Sequence, residues 1–403
     1  EKSQKVQKVA TRSTFRLYKS AVYFVGLIAV GSCIDRIDLD TPQVPPASLV
    51  VDGLITDAPG PYTVSLTHGI HLDDSRQFGE PVSAKSVTLF DSFGNSEVMQ
   101  ESKIGVYTTK SDGIRGVIGG EYRIRIEMKD GHVYESVPDQ INPVGELDSV
   151  YFKFDLTPDA RGIEQQGYKI FVNTHAPPGE ENFIRWQFRG TYVVETLPQF
   201  HIESQCAYTP LPCSGWASVF GVLREGYAWN PVTFKYEYVI GLTCTCCRCW
   251  VTPRENRPIV ESTKTHSDGQ FNDLEIAYIP VDFYTFFEKY QVKVTQMSLS
   301  KNTYNFWQDI RAQRDGIESL FQPVTGKIQS NFLEDGVLSE VKGIFQACAI
   351  KTKIIYLDKN THRVYVTVPQ DCMRPPREGA MGENCLLGFP GSIVTNQEPE
   401  DWE

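Results

Sequence analysis

Glu121-Tyr122-Arg123-Ile124-Arg125-Ile126-Glu127, then Lys129-Asp130-Gly131, then His132-Val133-Tyr134-Glu135-Ser136 spell a strand, a tight turn and a second strand. Asp-Gly supplies the positive φ that a hairpin turn needs. Gly120-Glu121-Tyr122 at the head of the first strand predicts a tyrosine corner, with the phenol tied back to upstream backbone. The same grammar runs upstream. Leu49-Val50-Val51-Asp52-Gly53-Leu54-Ile55 reads as a strand, and Tyr62-Thr63-Val64-Ser65-Leu66 follows behind the turn Asp57-Ala58-Pro59-Gly60-Pro61. Ser86-Val87-Thr88-Leu89-Phe90 is closed by Asp91-Ser92-Phe93-Gly94-Asn95. Short strands at this spacing predict an immunoglobulin-like β-sandwich over 48–142.

Ile141-Asn142-Pro143-Val144-Gly145 marks the expected boundary, and a second β-rich domain is expected over 143–370. Its strands include 149–154, 168–172, 182–189 and the alternating run Tyr290–Met297. Ser300 is an N-cap for one short helix carrying Thr303, Trp307, Ile310 and Arg314 on one face. A cysteine-rich insertion occupies 200–250, and 371–403 reads as a loop-like tail. The fold class is therefore all-β.

The N-terminal run Ala21–Val30 is apolar, six cations precede it, and Val30-Gly31-Ser32-Cys33 follows. A basic segment, a short apolar core and small residues at a cut site make a secretory signal over 1–32, too short to span a bilayer. A cysteine at the cut predicts bacterial lipidation at Cys33; the alternative is a plain signal peptide with an incidental cysteine. Residues 33–47, with Pro42, Pro45 and Pro46, would form an extended tether. Because the chain begins at Glu1 rather than Met, a longer N-terminus is expected. The full chain carries a formal charge of −11; without residues 1–32 it has 33 Lys and Arg against 49 Asp and Glu. That acidity argues against nucleic acid as a partner and leaves the lipid as the membrane link.

Ten cysteines in an exported chain read first as disulfides. Cys206, Cys213, Cys244, Cys246, Cys247 and Cys249 would supply three bridges among themselves, with fifteen connectivities open. Cys372 and Cys385 bracket a Pro/Gly-rich loop and would pair. Cys348, inside an apolar strand pattern, is expected to be a buried free thiol. A zinc site built from the cluster is the weaker alternative in an oxidising compartment. His68-Gly69-Ile70-His71-Leu72-Asp73-Asp74 is the most metal-like loop, yet it lacks helical H-E-x-x-H spacing, and no metal or cofactor is assigned. No nucleophile elbow, phosphate loop or calcium loop is present, so no catalytic residue is named. Trp216, Trp229 and Trp250, near the stapled region, form a candidate ligand-stacking set.

Residues 49–64 (Leu-Val-Val-Asp-Gly-Leu-Ile-Thr-Asp-Ala-Pro-Gly-Pro-Tyr-Thr-Val), Asp148-Ser149-Val150-Tyr151, Cys246-Cys247-Arg248-Cys249-Trp250 and 294–300, with Tyr304 and Phe306-Trp307 behind them, together resemble the domain of unknown function 4249 family of Bacteroidota lipoproteins. The resemblance covers roughly 33–370. It implies an outer-membrane lipoprotein working near TonB-dependent transporters, and it implies no chemistry. Asp35, Asp38 and Asp40, soon after Cys33, resemble the surface-export signals of Bacteroidota lipoproteins and predict a cell-surface-facing protein; solvated linker charges are the alternative. The expected function is a binding or interaction subunit beside an outer-membrane barrel. A stand-alone glycan- or protein-binding lipoprotein is the alternative, and a hydrolytic enzyme ranks third.

Overall fold

A computed structural model describes residues 48–70, 79–158, 164–179, 181–198, 243–255, 257–265, 268–282, 284–317, 328–358 and 383–402, with residue 162 and short pieces between 201 and 238. The signal segment, Cys33 and the tether lie outside the described residues.

The strands are β1 (Leu49–Thr56), β2 (Thr63–His68), β3 (Ser86–Asp91), β4 (Ser96–Val98), β5 (Gln100–Lys103), β6 (Val106–Thr108), β7 (Glu121–Glu127), β8 (Val133–Ser136) and β9 (Asp139–Gln140). Three long strands follow: β10 (Glu146–Pro158), β11 (Glu164–His175) and β12 (Phe183–Glu195). Small hairpins come next, β13 (Ile202–Ser204) with β14 (Ala207–Tyr208), β15 (Ala217–Val219) with β16 (Val222–Arg224), and β17 (Tyr227–Asn230) with β18 (Lys235–Tyr238). Then come β19 (Arg248–Pro253), β20 (Ile259–Ser262), β21 (Gln270–Pro280), β22 (Lys289–Leu299) and the helix α1 (Lys301–Ile317). The chain closes with β23 (Phe332–Glu334), β24 (Val337–Leu338), β25 (Lys342–Cys348), β26 (Ile350–Asp358) and β27 (Ser392–Thr395).

The first body is a sandwich of two sheets, ordered β25-β1-β2-β6-β5 and β24-β23-β8-β7-β3-β4. Alternation decides which side chains go inside: Tyr122, Ile124 and Ile126 of β7 are buried while their neighbours face out. They meet Val51, Ile55, Val64 and Leu66 of the facing sheet in one core. The tyrosine corner is present. The Tyr122 hydroxyl accepts from Val117 N at 2.9 Å and donates to Arg115 O at 3.1 Å.

The boundary read from sequence is corrected here. Residues 48–142 do not close the first sandwich; β23, β24 and β25, expected in the second domain, do. β25 lies parallel to β1 with Val51 opposite Gly343 and Gly53 opposite Phe345, and β23 pairs with β8. Without them β1 and β8 would expose rows of unpaired N–H and C=O groups. Phe332 and Phe345, 0% and 1% exposed, also fill the core between the sheets. Gly343 is required where it stands. Its φ is +88°, and a Cβ there would lie 1.9 Å from Val51 O.

The second body packs β10-β11-β21 against β26-β22-β12-β19-β27, with β20 also on β12. Tyr168, Ile170 and Val172 face Trp186, Tyr290, Val292 and Val294 across the core. One polar bridge crosses it. Gln296 Oε1 accepts from Trp186 Nε1 at 2.9 Å and from Thr174 Oγ1 at 2.6 Å. The stretch expected as a loop-like tail is corrected in its described part, since β27 extends the second sheet and Phe389 packs on the core. The apolar ring of Phe389 gains more by burial against Tyr192 and Tyr284 than a free tail would.

The helix forms as read: Thr303 N donates to Ser300 Oγ at 3.2 Å, the N-cap bond. Its buried face, Tyr304 and Trp307, joins Met297, Leu299, Val260, Cys348 and Leu54 in a third cluster, which contains residues of both bodies. Polar contacts reinforce that seam. Trp307 Nε1 donates to Gln346 Oε1 at 2.9 Å, and Asp139 Oδ2 accepts from Ala347 N at 2.8 Å and Thr303 Oγ1 at 3.0 Å. Cys348 is a buried free thiol, as the strand pattern predicted, and burial pushes its pKa up.

Candidate interaction surface

Strand β12 is long enough to serve two purposes. Its first half carries β20, and Tyr192–Glu195 pairs with Arg248–Val251 of β19, whose other side takes β27. The insertion therefore leaves and re-enters at one edge of the second sheet. Disulfides Cys213–Cys246, Cys244–Cys247 and Cys249–Cys385 converge there. Two expectations are corrected: Cys385 pairs with Cys249, not Cys372, and the six mid-chain cysteines do not close among themselves. The reason is register. β27 beside β19 brings the segment before it against Cys249, and Cys385 N donates to Cys246 O at 3.2 Å. Cys206 and Cys372 lie outside the described residues.

Backbone bonds fix the knot further. Thr196 N donates to Cys247 O and its hydroxyl to Cys246 O, each at 2.7 Å, and Asn396 Nδ2 donates to Thr245 O at 3.0 Å. Arg248 stands at the rim, bidentate to Glu288 at 2.6 and 2.9 Å and bonded to Glu195 at 2.9 Å. Those carboxylates, Glu288 first, raise its pKa, so the guanidinium stays charged.

Of the tryptophan set, Trp250 is 6% exposed, with Arg248 Cζ 5.4 Å from its ring centre. That burial removes it as an open stacking platform. Trp229 sits opposite Tyr236 in the β17–β18 hairpin, next to the Tyr227–Tyr238 pair, and Trp216 lies outside the described residues. In the metal-like loop, His71, Asp73 and Asp74 also lie outside them, and among the described residues no three His, Cys, Asp or Glu side chains converge on a metal position.

A charged cluster at the seam escaped the sequence reading. The Arg185 side chain is 4% exposed, paired with Glu255, and its Cζ lies 3.7 Å from the Trp307 ring centre. Burial raises the pKa of Glu255 and of Asp52 despite the attraction of Arg185. No local motif signals such a cluster, because its members come from four separate stretches. A second feature missed in sequence is the docking of Asp401 and Trp402 on β22 and β26; the acidic run with one tryptophan was the available signal.

Against known proteins, a family model described as Domain of unknown function (DUF4249) matches residues 34–354. No curated protein matches. Among solved structures, the crystal structure of trypsin-activated alpha-2-macroglobulin from Escherichia coli aligns at 11% identity and a TM-score of 0.16, covering 63% of this chain and 14% of that one. A score that low carries no argument about fold or function.

Proposed function

We propose that this chain, which belongs to the DUF4249 family, acts as a binding or interaction subunit of the outer membrane, held by lipid on Cys33 and working beside a barrel such as a TonB-dependent transporter. The observation that carries the reading is the knot at the β19 edge. Three disulfides within or reaching to 244–249 hold an insertion and the C-terminal segment against one sheet. Loops ordered in advance bind without paying that ordering cost at the encounter, and loops on a rigid scaffold are where recognition residues concentrate. The lipid anchor is supported by Val30-Gly31-Ser32-Cys33.

A second reading, a stand-alone glycan- or protein-binding lipoprotein, draws on the solvent face of β10 and β11. There Tyr151 and Phe171 stand ring beside ring, 5.5 Å apart with 18° between planes. A mild-detergent pull-down of the tagged protein from outer membranes separates the two. A stoichiometric barrel supports the first reading. Recovery of the protein alone overturns it and sends the search to glycan arrays with Tyr151→Ala and Phe171→Ala as controls.

A further inference from the structure

The solvent face of the second sheet carries cations in a chain whose formal charge is −11. Lys289 and Lys293 lie on β22, and exposed Arg189 of β12 is the register neighbour of Lys293. Tyr356 of β26 stands opposite Gln291 between the two lysines. This basic, aromatic strip is occupied by the chain's own acidic segment, residues 398–402. Asp401 Oδ2 accepts from Lys293 Nζ at 2.6 Å. Its backbone oxygen accepts from Gln291 Nε2 and, at 3.2 Å, from the Tyr356 hydroxyl. The Trp402 ring meets Tyr356 edge-on at 6.1 Å. Lys289 Nζ lies 4.7 Å from the Tyr356 ring centre and 5.0 Å from that of Trp402. A turn closed by Trp402 N to Pro399 O, 3.0 Å, presents both side chains together.

Two details mark this as recognition of a peptide. Gln291 is 2% exposed, and its buried amide takes one of its two acceptors from the segment's backbone. A backbone oxygen accepting from a side-chain amide on the strip is a contact that any peptide segment can supply. The strip also continues past the segment, through Thr295, Thr352 and the 38%-exposed Ile354, so a longer ligand has further surface to cover.

We propose that the outer face of β22 and β26 is a binding site for acidic peptide segments bearing an aromatic residue, held closed in cis by residues 398–402. A partner segment of that chemistry would exchange with residues 398–402. The cis segment has the advantage of tethering, at an effective concentration on the order of millimolar, so exchange needs a longer or better-matched peptide. This rests on the strip's own contacts and not on the lipoprotein reading, and either can fail without the other.

The test uses a labelled peptide of residues 396–402 and fluorescence anisotropy. The full chain carrying Asp401→Lys and Trp402→Ala has its own segment disabled and should bind the peptide at least tenfold more tightly than the unaltered chain. Adding Lys293→Glu should abolish binding. A peptide with Glu398, Glu400 and Asp401 replaced by their amides should fail on the same protein, a control that holds even if the Lys293→Glu variant does not fold. Equal binding to the disabled and unaltered chains, no binding to either, or undiminished binding of the amide peptide would overturn the proposal.

Discussion

The two bodies close their sheets by opposite means. The first carries no disulfide among its described residues and is completed by strands that return from far along the chain, β25 on β1 (Lys342 opposite Val50) and β23 on β8 (Phe332 opposite Ser136). The second also pairs strands far apart in the chain, β11 with β21 and β12 with β22, but its loose edge is sewn by Cys249–Cys385, Cys213–Cys246 and Cys244–Cys247. The chain passes from first body to second at Gly145, back at β23, and out again at β26. Noncovalent closure by a distant strand makes the first body depend on the whole chain. Covalent closure at the rim ties the second to the segment before β27 and to the base of its insertion at Cys213.

The sharpest way to break this contrast is to cut it. A fragment of residues 48–142 lacks Phe332 and Phe345 and the partners of β1 and β8. It should give neither dispersed NMR amide signals nor a cooperative urea transition. A folded fragment would show that β23–β25 merely decorate the sandwich. A single residue should hurt nearly as much. Gly343→Ala places a Cβ 1.9 Å from Val51 O at a φ of +88°, whereas Gly94, at the same φ, has nothing within 4 Å. Gly94→Ala should cost about 1–2 kcal/mol, the backbone penalty alone. Gly343→Ala should cost about 3 kcal/mol or more in urea unfolding, since the strand must also move. Equal costs would mean that β25 yields freely.

For the second body, the paired variant Cys249→Ala with Cys385→Ala opens a loop spanning 136 positions. A loss of about 2–5 kcal/mol is expected, with amide exchange rising first in β27 and the tail. If protection fell equally in β1 and β25, the staple would be holding both bodies rather than one rim.

What could be read in the sequence follows from range. The β7–β8 hairpin, the tyrosine corner, the Ser300 cap and the buried Cys348 are each set by residues within a few positions of one another, and all stand as read. The partners of β1 and of Cys249 depend on registers between stretches that no local pattern links. Cys372 and Cys385 were neighbours in sequence, yet the β19–β27 pairing chose Cys249 instead. Trp250 looked like a binding residue because it followed the cysteines; its burial comes from the sheet around it. The Arg185–Glu255 pair has no signature at all, since strand patterning leads one to expect an apolar residue at a position only 4% exposed.

The smallest expected effect lies at the seam where the two means of closure meet. Asp139 is 5% exposed on β9, with Thr303 Oγ1 and Ala347 N on one carboxylate oxygen and Ser300 nearby. Burial raises its pKa above the ordinary aspartate value, and those donors only partly oppose the rise. The folded state thus holds the proton more readily than the unfolded chain. Between the ordinary value and the raised one the native protein binds more protons, so this group's contribution to stability falls as pH rises through that interval. Asp52 and Glu255 are raised by burial too and act in the same direction. Asp139→Asn keeps an oxygen able to accept from Thr303 and Ala347 but cannot ionise. Its stability relative to the unaltered chain should therefore rise with pH, read as urea midpoints from about pH 4 to about pH 8. Parallel midpoint curves would show that the carboxylate meets no net penalty there. In that case the donors around it, rather than the apolar packing, would set the electrostatics of the junction between the bodies.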